Sequence, residues 1–192
     1  LIHTPARESL TGALRKLREM KRADASLFEV GQFDNPRNPQ IHYMSTAPEI
    51  WRQMEGRVDA FVAGVGSGGT LGGVGRFLKE QDKNIRVVAV EPANSAALLG
   101  HEPGLHKIQG IGDGFVPAVL DTSLIDEVIT VTDEQAVETS RLLARTEGTL
   151  VGTSAGANVW AALRLSERLG EGRNVVTVLP DRAERYFSTA LI

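Results

Sequence analysis

The sequence predicts an α/β protein in which a parallel twisted sheet is covered by helices on both faces. Continuously apolar runs at 58–64, 86–90 and 174–179 are typical of strands that are buried on both faces. Segments with helical periodicity separate these runs, and such alternation favours parallel strand order. With 192 residues, of which 42% are hydrophobic and 23% charged, the chain is long enough to bury a sizeable core.

The first 40 residues predict a helix, a short strand and a loop. Residues 7–22 place an apolar stripe on one helical face, formed by Leu10, Ala13, Leu14, Leu17 and Met20. The run Leu27 to Val30 predicts a strand. The stretch 31–40 is rich in proline and asparagine, which indicates a loop and a domain junction.

The rest of the chain alternates regularly. We expect helices near 48–54, 70–81 and 156–169, a further strand at 127–131 and a long loop over 100–118. A further helix follows Val131, where Thr132 and Gln135 have the spacing of a capping box and Gly148 is the expected stop.

Composition excludes several classes of function. The formal charge of −3 and the pI near 5.8 give no general attraction to nucleic acid or to an anionic membrane, and no apolar stretch is long enough to span a bilayer. The absence of cysteine excludes disulfides and thiolate sites and fits a reducing, cytoplasmic location. The four histidines lack zinc-motif spacing, so we expect no metal.

A glycine-rich turn follows the apolar run at 58–64, and one interpretation is a dinucleotide site. Gly64, Gly66 and Gly69 satisfy G-x-G-x-x-G between a strand and a helix, and Glu91 ends the next strand, as that fingerprint requires. The chain would then be an NAD-binding oxidoreductase domain. Tight packing of the strand against the helix is the structural alternative.

The other interpretation is a site for a terminal phosphate. A phosphate monoester needs many donors that converge on one point: bare backbone N–H groups, the positive end of a helix and one or two hydroxyls. The segment 66–70 offers all of them, and its residues are Gly66, Ser67, Gly68, Gly69 and Thr70. We therefore favour the terminal phosphate over the dinucleotide.

A second strand-to-helix turn supports this choice. In "GTSAGAN", Ser154 is the central hydroxyl among small residues, which allow a flat group to lie against the backbone. The alternative for Ser154 is a helix N-cap.

Five segments together resemble the cysteine synthases (O-acetylserine sulfhydrylases), which are pyridoxal-phosphate enzymes of fold type II, the tryptophan-synthase β fold. These segments are "QFDNPRNPQIH", "VDAFVAGVGSGGTLGGVGRFLKE", "HKIQGIGDGFVP", "GTSAGAN" and "ERYFSTALI". They occur in the order and spacing of the family, and the resemblance extends over essentially the whole chain.

The resemblance implies a set of site residues. The cofactor phosphate would lie on Gly66, Ser67, Gly68, Gly69 and Thr70, and the pyridine nitrogen would meet Ser154. Gln32 would help to bind the substrate α-carboxylate, and the turn formed by Gly110, Ile111 and Gly112 would border the substrate. Two residues depart from the family: Asp113, which we expect to point into water, and Ala183, which stands where a glycine is usual.

The resemblance also implies an activity and partners. The activity is replacement of the acetate of O-acetylserine by sulfide to give L-cysteine. Cystathionine β-synthase and an O-phosphoserine sulfhydrylase are alternatives within the family, and a non-catalytic binding relative is a further one. The expected partners are a second copy of the chain, in a homodimer, and the C-terminal tail of serine acetyltransferase.

Family members form a Schiff base with a lysine early in the chain, and no lysine here matches it. The five lysines, Lys16, Lys21, Lys79, Lys83 and Lys107, fit solvated or structural positions, so no catalytic residue is assigned. The chain therefore resembles the later part of a cysteine synthase, incomplete at its N-terminus. Residues 1–31 would be a remnant of the small domain and 32–192 the large cofactor domain. We expect this chain alone to be inactive.

Overall fold

A four-stranded parallel sheet forms the centre of the molecule in the computed structural model, which describes residues 1–5, 8–189 and 191. The strand order is β3-β2-β1-β4. Ala60 of the central strand β1 pairs with Arg86 on one side and Val175 on the other. The strands are β1 (Ala60–Gly64), β2 (Arg86–Pro92), β3 (Glu127–Val131) and β4 (Val175–Thr177).

Six α-helices connect and flank these strands in the described part of the chain. A π-helical turn, His42–Thr46, joins the second helix to the third, and short 3₁₀ turns occur at Ala97–Leu99, Thr122–Leu124 and Ala183–Tyr186. None of the described helices has the length and apolar character needed to cross a membrane. The helices are α1 (Ser9–Ala23), α2 (Arg37–Ile41), α3 (Ala47–Gln53), α4 (Gly69–Gln81), α5 (Asp133–Glu147) and α6 (Thr153–Leu169).

The core lies on both faces of the sheet because successive side chains of a strand point to opposite sides. Phe61 and Ala63 of β1 pack in a cluster with buried residues of α3 and α4. Ala60 and Val62 pack in a second cluster with residues of α5 and α6. The predicted fold class is confirmed.

Helix α4 packs unusually closely on the segment 37–46, which comprises α2 and the π-helical turn. A Cβ on Gly73 would collide with the Pro39 carbonyl oxygen and lie 2.7 Å from the His42 Cβ. A Cβ on Gly69 would overlap the Asn38 side chain. Gly69 and Gly73 therefore serve helix packing, and this packing places Asn38 and His42 beside the start of α4.

Two predictions near the N-terminus are wrong. Leu27 to Val30 form no strand: no β pairing involves them in the described residues, and Phe28 and Val30 are 89% and 70% exposed. A strand needs a neighbouring strand for its backbone groups, and among the described residues no strand pairs with this run. The predicted loop 31–40 is helical from Arg37, because Pro36 has a helix-compatible φ of −64° and Asn35 accepts the Arg37 N–H.

Predictions for the second half are largely confirmed, with two shifted elements. The capping box of Thr132 and Gln135 is present, and Gly148 ends α5 in the left-handed conformation, with φ 63°. Helix α6 begins at Thr153 and not near 156, because Gly152 serves as its N-cap. Strand β4 is shorter than predicted and only half-buried, because it lies at the edge of the described sheet.

Candidate cofactor site

A pocket of about 300 Å³ opens at the carboxyl end of β1. Four segments line it: residues 64–70, residues 109–111, the first turns of α6 and parts of the C-terminal stretch 178–186. Crevices at the carboxyl ends of parallel strands are the usual ligand sites of α/β folds. The pocket brings both predicted strand-to-helix turns together.

The glycine turn forms a cup of unused donors. The backbone N–H groups of residues 66–70 donate to no backbone or side-chain acceptor in the described part of the chain. Gly68 is the N-cap of α4 with φ 78°, a left-handed conformation that favours glycine. Free N–H groups at the start of a 13-residue helix make a site for an anion.

The two hydroxyls of the cup are held from the segment 37–46. The Asn38 Nδ2 donates to the Ser67 Oγ at 2.9 Å. The His42 Nε2 lies 3.3 Å from the Thr70 Oγ1, and its Nδ1 lies 2.9 Å from the Thr46 Oγ1. Burial lowers the pKa of His42, which favours the neutral ring. Sequence analysis missed Asn38 and His42 because it interpreted much of their segment as a loop.

Ser154 lies in the first turn of α6, and its hydroxyl has no partner among the described residues. Its interpretation as an N-cap is wrong, because Gly152 occupies that position. One turn later, Asn158 is 1% exposed, and its Nδ2 donates to the Val178 carbonyl at 2.9 Å. The Asn158 Oδ1 is buried without a partner in the described chain. Its spacing of four residues from Ser154 on one helix was the signal that could have identified Asn158.

Together these features fit pyridoxal phosphate. The donor cup suits a terminal phosphate, and Ser154 and Asn158 leave two unsatisfied polar groups for the rest of the ligand. All five lysines lie in the described part of the chain, and none of them lines the pocket; Lys16, Lys21 and Lys79 form ion pairs with carboxylates away from it.

The structure brings the other predicted site residues to the pocket with two exceptions. Gly110 and Ile111 line it, but Gly112 lies behind them, where its carbonyl accepts from the Ser95 Oγ and faces the His106 Nε2 at 3.0 Å. Gln32 is also outside the lining, with an exposed side chain. Only its backbone carbonyl is linked to the site, through Asn38.

Asp113 does not simply point into water, contrary to expectation. It is half-buried, and desolvation raises the pKa of its carboxyl group, while the charge of His106 lowers it. Its Oδ2 lies 3.8 Å from the point where a Cβ on Gly66 would be. The following loop is held close because Gly114 packs against Pro103. A carboxylate therefore lies near the cup.

The C-terminal stretch contributes a pair that sequence analysis missed. The Tyr186 Oη donates to the Asp181 Oδ2 at 2.6 Å, and both residues line the pocket. Burial and this hydrogen bond raise the pKa of Tyr186 to about 12. Among the described residues that line the pocket, Arg185 carries the positive charge, and its side chain is exposed. Ala183, the second departure from the family, is buried in the adjoining 3₁₀ turn.

Glu91 is not available to bind the ribose of a nucleotide, which is the role that the dinucleotide fingerprint gives to this residue. It is 2% exposed, and its carboxylate accepts the Leu98 N–H at 3.0 Å. Burial raises its pKa to about 6. Because this carboxylate is occupied within the fold, the geometry does not favour a nucleotide ribose there.

Comparison with known proteins agrees with this geometry. A family model described as pyridoxal-phosphate dependent enzyme matches residues 2–181. A cysteine synthase of Staphylococcus aureus is 49% identical over all 192 residues, and the chain spans 62% of that relative's length.

Solved structures are similar as well. A cysteine synthase of Entamoeba histolytica is 38% identical with a TM-score of 0.93, over 100% of this chain and 57% of the other. An O-acetylserine-dependent cystathionine β-synthase of Helicobacter pylori is 43% identical with a TM-score of 0.92, over 99% of this chain and 62% of the other. From the matched family model and the fit of the pocket, the chain belongs to the pyridoxal-phosphate-dependent enzymes.

Proposed function

We propose that the protein serves cysteine biosynthesis by replacing the acetate of O-acetylserine with sulfide. The observation that carries this proposal is the pairing of a phosphate cup with a hydroxyl, Ser154, at the second strand-to-helix turn. Likeness to cysteine synthases over the whole chain supports it.

Each part of the pocket has a role in this proposal. Bound pyridoxal phosphate supplies an electron sink for elimination at the β-carbon of the amino acid. The N–H groups of 66–70 and the hydroxyls of Ser67 and Thr70 hold its phosphate. Ser154 donates a hydrogen bond to the ring nitrogen without keeping it protonated, because a hydroxyl, unlike a carboxylate, carries no charge. The ring is then a moderate sink, which suits elimination.

The substrate is assigned to the neighbouring loops. We propose that Gly110, Ile111 and Gly112 border it and that Gln32 helps to bind its carboxylate. The bond from Asn38 to the Gln32 carbonyl keeps this residue near the cup, which supports the assignment. We also propose that residues 1–31 belong to the smaller of two domains.

A second candidate function is cystathionine synthesis from O-acetylserine, supported by the similarity to the Helicobacter pylori enzyme. Assays of the natural gene product with sulfide and with homocysteine as the second substrate distinguish the two candidates.

By analogy with the family, we propose that the protein acts in the cytoplasm as a homodimer and that it binds the C-terminal tail of serine acetyltransferase. The 192-residue chain by itself is expected to bind that tail poorly, since a tail anchored by its carboxylate needs the serine- and threonine-rich loop of the family, which has no counterpart here.

Binding by the purified 192-residue chain tests the cofactor assignment. We expect pyridoxal phosphate to quench tryptophan fluorescence and to be retained more strongly than pyridoxal, while NADH causes no saturable change. Retention of NADH in preference to pyridoxal phosphate would favour the interpretation as an NAD-binding oxidoreductase domain.

An activity assay tests the proposed reaction. The natural gene product is expected to form cysteine from O-acetylserine and sulfide, and the absence of this activity would refute the proposal.

A further inference from the structure

The amide of Asn38 connects three parts of the site. Its Nδ2 donates to the Ser67 Oγ at 2.9 Å and to the Gln32 carbonyl at 2.8 Å. Its Oδ1 lies against the backbone at Gly69, where a Cβ would overlap it. The segment 37–46, the loop at Gln32 and the cup therefore meet at one side chain.

Both hydrogens of the Asn38 amide are used, and this fixes its orientation. The Gln32 carbonyl can only accept, so the atom that faces it is the nitrogen. The Ser67 oxygen consequently accepts the second amide hydrogen. Because the Asn38 amide hydrogen bonds to a lone pair of the Ser67 oxygen, the hydroxyl hydrogen of Ser67 must point away from Asn38.

We propose that Asn38 is a positioning residue that turns Ser67 into a hydrogen-bond donor toward the phosphate of the bound ligand. Ser67 lines the pocket beside the free N–H groups, and a phosphate dianion accepts hydrogen bonds but donates none at neutral pH. A serine whose hydrogen is directed toward the anion binds it better than one that is free to rotate. The inference rests on the proposed phosphate site and adds a residue that does not line it.

A double-mutant cycle tests this role in the 192-residue chain. The dissociation constants of pyridoxal phosphate and of pyridoxal are measured for the parent, Asn38→Ala, Ser67→Ala and the double variant. We expect Asn38→Ala to weaken binding of pyridoxal phosphate about tenfold with little effect on pyridoxal, because only the phosphate contact is affected. In the Ser67→Ala background the same change is expected to have almost no further effect.

Two further variants separate orientation from folding. Asn38→Asp keeps the shape but replaces the donor by an acceptor, so Ser67 donates to the aspartate; we expect weaker phosphate binding than in Asn38→Ala. Asn35→Ala removes another asparagine that bonds the same loop, at the Val30 carbonyl, without contacting Ser67. Because Asn35 also accepts the Arg37 N–H at the start of α2, its loss is expected to act on both ligands alike and to leave the ratio of the two dissociation constants unchanged.

The outcomes are distinguishable. Equal binding of pyridoxal phosphate and pyridoxal by the parent chain would overturn both the phosphate site and this inference. Selective binding by the parent, combined with additive effects of the Asn38 and Ser67 substitutions, would overturn the inference alone. If Asn38→Ala and Asn35→Ala weaken both ligands equally, Asn38 only holds the loop and the inference is wrong.

Discussion

At the residue scale, Ser154 gives a direct test of the ring assignment. Ser154 is a buried residue in the first turn of α6, it lines the pocket, and its hydroxyl has no described partner. Ser154→Ala removes one hydrogen bond to a neutral nitrogen, so we expect partial activity of the natural gene product, reduced about tenfold. Ser154→Asp introduces a charge that holds the ring nitrogen protonated, and we expect a larger loss in the rate of acetate release. Parent-like turnover by both variants would mean that Ser154 does not contact the ring.

Glu91 makes stability depend on pH. Burial raises its pKa to about 6 in the folded chain, from 4.5. Between these values the folded chain retains a proton that the unfolded chain has released, so the free energy of unfolding falls as pH rises through this range. The contribution is about 2 kcal/mol, present in full below the unfolded pKa and lost above pH 6.

The variant Glu91→Gln removes this dependence. Relative to the parent, we expect it to gain about 2 kcal/mol of stability between pH 4.5 and pH 7.5, as measured by urea unfolding. Glu102→Gln, at an exposed site, is the matched control and is expected to show no such gain. An identical Glu91→Gln effect at both pH values would contradict the assignment.

The candidate site residues that could be located from the sequence are those that local backbone geometry presents, whereas those that depend on tertiary contacts could not. Gly66 to Thr70 and Ser154 follow from strand-to-helix turns, whose geometry is local. The spacing of Asn158 from Ser154 is a local signal, but the orientation of its amide depends on the Val178 carbonyl, which is a tertiary contact. Asp113 was expected to lie in water because its half-burial beside Gly66 and His106 depends on contacts between separate segments.

At the element scale, the close packing of α4 on the segment 37–46 predicts opposite effects for two adjacent glycines. In Gly73→Ala the new Cβ meets the Pro39 carbonyl and lies 2.9 Å from the Tyr43 nitrogen, both backbone atoms that cannot move independently. We expect a loss of roughly 1–3 kcal/mol. In Gly72→Ala the nearest atom is 3.6 Å away, so helix propensity dominates and stability rises by about 0.5–1 kcal/mol.

Thermal unfolding of the two variants against the parent measures the contrast. A similar change in melting temperature for both would show that the two helical segments are not in the contact described.

The elements predicted correctly are those with strong local signals. The capping box of α5 and the apolar runs of β1 and β2 carry such signals. The run Leu27 to Val30 has strand composition, but no neighbouring strand pairs with it in the described chain. The segment 31–40 contains enough proline and asparagine to suggest a loop, yet Pro36 and Pro39 fall at the start of a helix, where proline is tolerated.

At the scale of the whole molecule, the positions of the lysines predict how the 192-residue chain responds to its cofactor. None of the five lines the pocket. We expect that reduction with borohydride in the presence of pyridoxal phosphate yields no single stoichiometric adduct by mass spectrometry, because surface amines are neither desolvated nor positioned. O-Acetylserine and sulfide should give no cysteine above the rate of free cofactor. A specific adduct at Lys107, the loop lysine, would contradict this.

The π-helical turn at His42–Thr46 also sets the rotational phase of its neighbours. An α-helix advances about 100° per residue, and a π-helical turn accommodates one extra residue without rotating the helix that follows it. Before the turn, Asn38 faces the cup; after it, Ala47 and Ile50 face the core. If the same residues followed a regular α-helical path, the helix after the turn would be rotated by about 100°, and Asn38 and Ile50 would not both meet their partners. The π-helical turn therefore allows one continuous helical segment to present Asn38 to the cup and Ala47 to the core. Ligand binding and core packing both depend on the number of residues in this turn.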